Sequence, residues 1–71
     1  MQINFKKLDN NCYYVTDGNS AINIYVRYSS FNKHYEIDAD KFYWECKTIN
    51  EMKDKVTKYW IEGKFNSFEV N

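Results

Sequence analysis

The sequence predicts an α+β fold: an antiparallel meander of about four to five short strands with one C-terminal amphipathic helix packed on one face. Two observations carry this reading. Up to Lys47, apolar residues alternate with polar ones, the period of two that a half-buried strand requires, and turn-forming clusters interrupt the alternation at short intervals. From Thr48 onward the apolar spacing changes to three and four, and a capping sequence marks the change.

The first run sets Ile3 and Phe5 against Asn4 and Lys6. Asp9-Asn10-Asn11 then supplies residues that tolerate a tight turn before Cys12-Tyr13-Tyr14-Val15, which predicts a hairpin. Asp17-Gly18-Asn19 is a second turn, with a glycine where a tight hairpin needs positive φ. The clearest strand follows, with Ile22, Ile24, Val26 and Tyr28 on one face and Asn23, Tyr25 and Arg27 on the other, and its place is expected to be central. After Ser29–Lys33, Tyr35, Ile37 and Ala39 alternate with His34, Glu36 and Asp38. The chain turns through Asp38–Lys41, and Phe42, Trp44 and Cys46 alternate with Tyr43, Glu45 and Lys47. Thr48-Ile49-Asn50-Glu51 matches a capping box. Ile49, Met52, Val56, Tyr59 and Trp60 then form an apolar stripe, Lys53, Asp54, Thr57, Lys58 and Glu62 take the other side, and Gly63 stops the helix. Phe65, Phe68 and Val70 are expected to return as a short edge strand.

With 71 residues, the chain is read as a single domain over 1–71. A domain of this size hides only about 60% of the surface its unfolded chain exposes. Aromatic residues make up 20% of the sequence, so a few large rings can fill a small core. Basic and acidic residues number 10 each, and the resulting zero net charge removes the global attraction typical of nonspecific nucleic-acid binders. Residues 1–7 lack the apolar run of a signal peptide, and no stretch has the length of a membrane span. The expected location is therefore the cytoplasm, where Cys12 and Cys46 are reduced thiols. Abundant Asn, Lys, Tyr, Ile and Phe, 2 glycines and no proline are the bias of an AT-rich genome, such as that of a low-GC bacterium or its phage.

Residues able to do chemistry are sparse. Cys12, His34 and Cys46, with Asp38 or Asp40, are zinc-ligand types, but they lack the close pairs of structural zinc sites. A cysteine paired with His34 would make a nucleophile and base, yet nothing in the spacing brings them together, and Cys46 alternates with Phe42 and Trp44 as a core residue does. Glu36, Asp38, Asp40 and Glu45 concentrate acid locally without the glycine and distal glutamate of a calcium loop, and are read as a solvated face. Gly-rich phosphate loops are absent. No catalytic residue, metal or cofactor is assigned, and the chain is read as not an enzyme.

The remaining candidate is the outer sheet face. Tyr25, Arg27 and Tyr43 are expected to point away from the helix, with Glu36 and Lys47 beside them, and such residues suit a protein interface. The runner-up uses the same aromatics to stack on single-stranded bases, with Lys47 and Arg27 near the phosphates. The plan of short strands followed by a capped helix resembles that of many small phage and mobile-element proteins, including compact inhibitors of host defence, although no residue motif accompanies the likeness. The sequence thus predicts a noncatalytic protein-binding module, of the kind that inhibits a host protein or assembles with its own copies, with nucleic-acid binding as the alternative and no membrane partner.

Overall fold

Strands β1 (Asn4–Asp9), β2 (Cys12–Thr16), β3 (Ser20–Ser29), β4 (His34–Ala39) and β5 (Phe42–Cys46) lie side by side in chain order, each antiparallel to the next. Helix α1 (Ile49–Ile61) and a short β6 (Phe68–Glu69) complete the α+β fold. This computed structural model describes residues 2–70, so the end positions 1 and 71 of the expected domain lie outside the described residues. As its alternation predicts, β3 is the central strand.

Turn chemistry sets the register. Asp9 Oδ1 accepts from the Asn11 backbone N–H at 2.7 Å, holding the β1–β2 turn. Asp17 does more. Its Oδ1 accepts from the N–H groups of Asn19 and Ser20, both at 2.8 Å, while Gly18 takes φ 97°, which a side chain would make strained. The other carboxylate oxygen, Oδ2, accepts from Trp60 Nε1 at 3.2 Å, so one residue fixes the β2–β3 turn and ties it to the end of α1. Asp40 turns β4 into β5 with φ 57°, a left-handed conformation that aspartate tolerates better than most residues.

The helix covers one sheet face. Val15, Ile24, Ile37, Met52 and Val56 are fully buried there, joined by Val26 and Trp44. At the helix start, Thr48 Oγ1 accepts from the Glu51 N–H at 3.1 Å. The reciprocal bond differs from the usual capping box, because Glu51 Oε2 accepts from the N–H of Lys47, one residue earlier than the cap, at 3.0 Å. At the far end Gly63 takes φ 71°, Gly63 N–H donates to Trp60 O and Lys64 N–H to Tyr59 O, each at 3.0 Å, the two bonds of a Schellman stop. Lys53 and Lys55 do not stand wholly on the solvent side: their ammonium groups lie over Phe5 (5.7 Å) and Trp44 (5.0 Å), with the aliphatic stems along the edge of the core.

The expected short C-terminal strand forms at Phe68–Glu69 and leaves Phe65 outside it. β6 pairs with central β3, Ala21 opposite Phe68 and Ser20 opposite Glu69, in the lane that β4 leaves free because its pairing with β3 stops at Ile24. Phe65 packs against Phe42 and Tyr59, both at 5.8 Å between ring centroids, closing the helix side of the core. Phe68 lies on the opposite face near Tyr14, at 6.5 Å. Asp40 Oδ2 anchors the crossing by accepting from the Asn66 N–H at 2.9 Å. Among the described residues, no helix is long and apolar enough to cross a membrane.

Two measurements check this arrangement. In urea unfolding, Met52→Ala is expected to cost about 2–5 kcal/mol by emptying a core site, whereas Ile61→Ala, at an exposed position of the same helix, changes stability by no more than about 0.5 kcal/mol. Backbone hydrogen bonds from Ser20 and Asn19, then the Trp60 indole, hold the Asp17 carboxyl below its ordinary pKa of 3.8. A lowered folded pKa gives stability that is fully present above the unfolded value and is lost as pH falls through the folded one. Asp17→Asn should therefore flatten the stability curve below about pH 4, as read by urea titrations across the acid range, and an unflattened curve would separate Asp17 from acid stability.

Candidate functional site

Because side chains alternate across a strand, burying Ile24, Val26, Ile37 and Trp44 under the helix sends their neighbours to the outer face. Strand register then sorts those neighbours into rows. Cys12 faces Tyr25, Tyr25 faces Asp38, and Asp38 faces Tyr43. In the adjoining row Arg27 faces Glu36, and Glu36 faces Glu45. His34 lies two residues before Glu36 on β4, opposite Ser29.

These rows make a shallow groove lined by Tyr25, Arg27, Glu36, Asp38 and Tyr43, with Asn11 at one end. Tyr25 and Tyr43 are both more than half exposed, at 58% and 55%, so neither ring is taken up by the core. Glu36 is the floor. Its side chain is only 16% exposed, whereas that of Arg27, above it, is 76% exposed. Arg27 binds Glu36 Oε1 through both Nε, at 2.9 Å, and a terminal guanidinium nitrogen. That bond, then the charge of Glu36, raises the Arg27 pKa further above its ordinary value. Tyr43 donates its hydroxyl to Glu45 Oε2 at 3.0 Å, and its pKa is raised by desolvation first and by that bond second. The patch is thus acidic on balance: it carries the carboxylates of Glu36, Asp38 and Glu45 against one guanidinium, that of Arg27, which pairs with Glu36.

Four of the residues singled out from sequence, Tyr25, Arg27, Glu36 and Tyr43, come together in the groove. Lys47 does not line it; it follows the last residue of β5 and gives its backbone N–H to Glu51. Asp38 joins the site between the two tyrosines.

The cysteines do not converge with His34. Cys12 stands on the outer face opposite Tyr25, but Cys46 pairs with Tyr35 on the helix side, its thiol directed to Thr48 O at 3.3 Å and its pKa raised chiefly by burial. A zinc site built from Cys12, His34 and Cys46 is therefore excluded by the parity of the strands, and Cys46 lacks the lowered pKa of a reactive thiol. A different grouping, not evident from residue spacing, does form: His34, Glu36 and Glu45 bring ligand-type atoms within 4.8 Å of one another. The signal was present in the hairpin, because the tight Asp40-Lys41 turn sets Glu45 opposite Glu36, and His34 shares their face.

Comparison with family models, with curated proteins and with solved structures finds no match for the chain.

Proposed function

We propose that the chain is a noncatalytic protein-binding module that uses the outer sheet face to hold a basic surface of another protein. The observation that carries this reading is the groove in which exposed Tyr25 and Tyr43 flank Asp38, next to the Arg27–Glu36 pair. Tyrosine and arginine give interfaces large contact area with polar tips, and the strands hold them with little conformational freedom left to lose on binding. The acidic balance of the patch selects the partner: lysine or arginine side chains are attracted, and like-charged surfaces are turned away. Inhibition of a host protein would need nothing beyond such occlusion, which keeps the phage or mobile-element inhibitor reading within this proposal.

Local charge also weighs against the alternative. A nucleic acid stacked on Tyr25 and Tyr43 would bring its phosphates against Glu36, Asp38 and Glu45, where the counterion-release gain of a basic groove is missing.

The test is capture of proteins from a bacterial lysate treated with nuclease, comparing the native chain with Tyr25→Ala/Arg27→Ala and with Asp38→Lys. Both variants should retain their fold: Asp38→Lys is expected within about 1 kcal/mol of the native chain, and Tyr25→Ala/Arg27→Ala is expected to cost more because it leaves the largely buried Glu36 carboxylate without its cation, so circular dichroism of each variant accompanies the capture. The expected outcome is a nuclease-resistant protein partner that elutes as salt is raised and is lost with either variant. Capture that nuclease abolishes would overturn the reading in favour of nucleic acid, and capture indifferent to both variants would remove the groove from function.

A further inference from the structure

We infer that His34, Glu36 and Glu45 form a binding site for a divalent transition-metal ion, with zinc as the reference chemistry. The inference does not rest on the protein-binding reading, although Glu36 belongs both to this cluster and to the groove.

Three features of the cluster point the same way. First, Glu36 and Glu45 are directly opposed on adjacent strands, a like-charge pairing that destabilises a sheet unless a cation compensates it. Arg27 compensates only part of it, because it engages one oxygen of Glu36 and stands on the side away from β5. Second, the ring nitrogen His34 Nε2 is buried and has no hydrogen-bond partner; the nearest carboxylate oxygen, Glu45 Oε1, is 3.5 Å away. Buried polar atoms are rarely left unpaired, and neutral imidazole with a free nitrogen is the commonest protein ligand for such metals. Third, a second set of groups already orients the carboxylates. Arg27 holds Glu36 through Oε1, and the Tyr43 hydroxyl holds Glu45 through Oε2, leaving the other oxygen of each for a ligand bond. Metal ligands are commonly positioned by outer partners in this way.

The geometry is near what coordination needs. Two donors bound to one ion at about 2.0–2.2 Å each cannot be more than about 4.4 Å apart. Bringing the present spread of 4.8 Å within that limit takes a small rotation of the half-exposed Glu45 side chain together with its Tyr43 partner. One imidazole and two carboxylates suit zinc and its first-row neighbours better than calcium or magnesium, which prefer all-oxygen sets. The two carboxylates offset most of the charge of a divalent ion, Arg27 already taking part of that of Glu36.

The experiment is calorimetric titration of the reduced full chain with zinc chloride, joined to nitrogen NMR of the chain's single histidine. The expected result is one ion per chain, a metal-dependent displacement of the His34 Nε2 resonance, and at least about tenfold weaker binding in each of His34→Gln, Glu36→Gln and Glu45→Gln. Cys12→Ser/Cys46→Ser should bind as the native chain does. Failure of zinc to move the His34 resonance of the native protein overturns the site without reliance on any variant. Binding that survives the three substitutions, or that vanishes with the cysteines, overturns it equally.

Discussion

Burial of Ile24 and Ile37 against Met52 and Val56 is the constraint from which the rest of this structure follows. Once those side chains point to the helix, strand parity leaves no choice for their neighbours. Tyr25, Glu36 and Asp38 must face outward, and the antiparallel register decides who stands beside whom. A slip of one residue between β3 and β4 would put Glu36 and Asp38 into the core and Ile37 into solvent. The outer face is therefore specified by the inner one, and the charged groove rests on the same apolar contacts that hold the helix.

The two faces are stabilised by different physics. Beneath the helix, dispersion and removal of apolar surface from water dominate, and Phe65 extends the aromatic packing of Phe42, Tyr59 and Trp60 past the helix end. On the outer face, charges are held by strand geometry at separations they would not choose in free solution. Arg27 offsets Glu36, Tyr43 offsets Glu45, and His34 stands beside them.

Much of this was legible in the residues, because most of it is local. Alternation located the five main strands, the Asp-Gly turn located the β2–β3 hairpin, and Thr48 with Glu51 located the helix start. The groove was legible in part, since the outward positions of Tyr25, Arg27 and Tyr43 follow from period two alone. Pairing at a distance was not. Nothing in Phe68-Glu69 states that they join β3, because the vacancy they fill is created by where the pairing of β4 with β3 ends. The hydrogen bond from Trp60 to Asp17 depends on the angle at which the helix crosses the sheet. The grouping of His34 with Glu36 and Glu45 needed the register of one hairpin, and composition had sorted the histidine with cysteines that parity places elsewhere.

The chain-order arrangement of β1 to β5 has a consequence for how the protein acquires its structure. Each of those strands finds its partner across a short connection, so the closure entropy is small and hairpins can form in about 1–10 μs. Other links are of another kind: β6 meets β3, Asn66 reaches Asp40, and Trp60 reaches Asp17 across 43 positions of sequence. These join the ends of a process whose middle is quick. Folding should accordingly resemble a ribbon that assembles by neighbouring pleats and is latched last, with the Asp17 turn present early as the catch that the arriving helix engages.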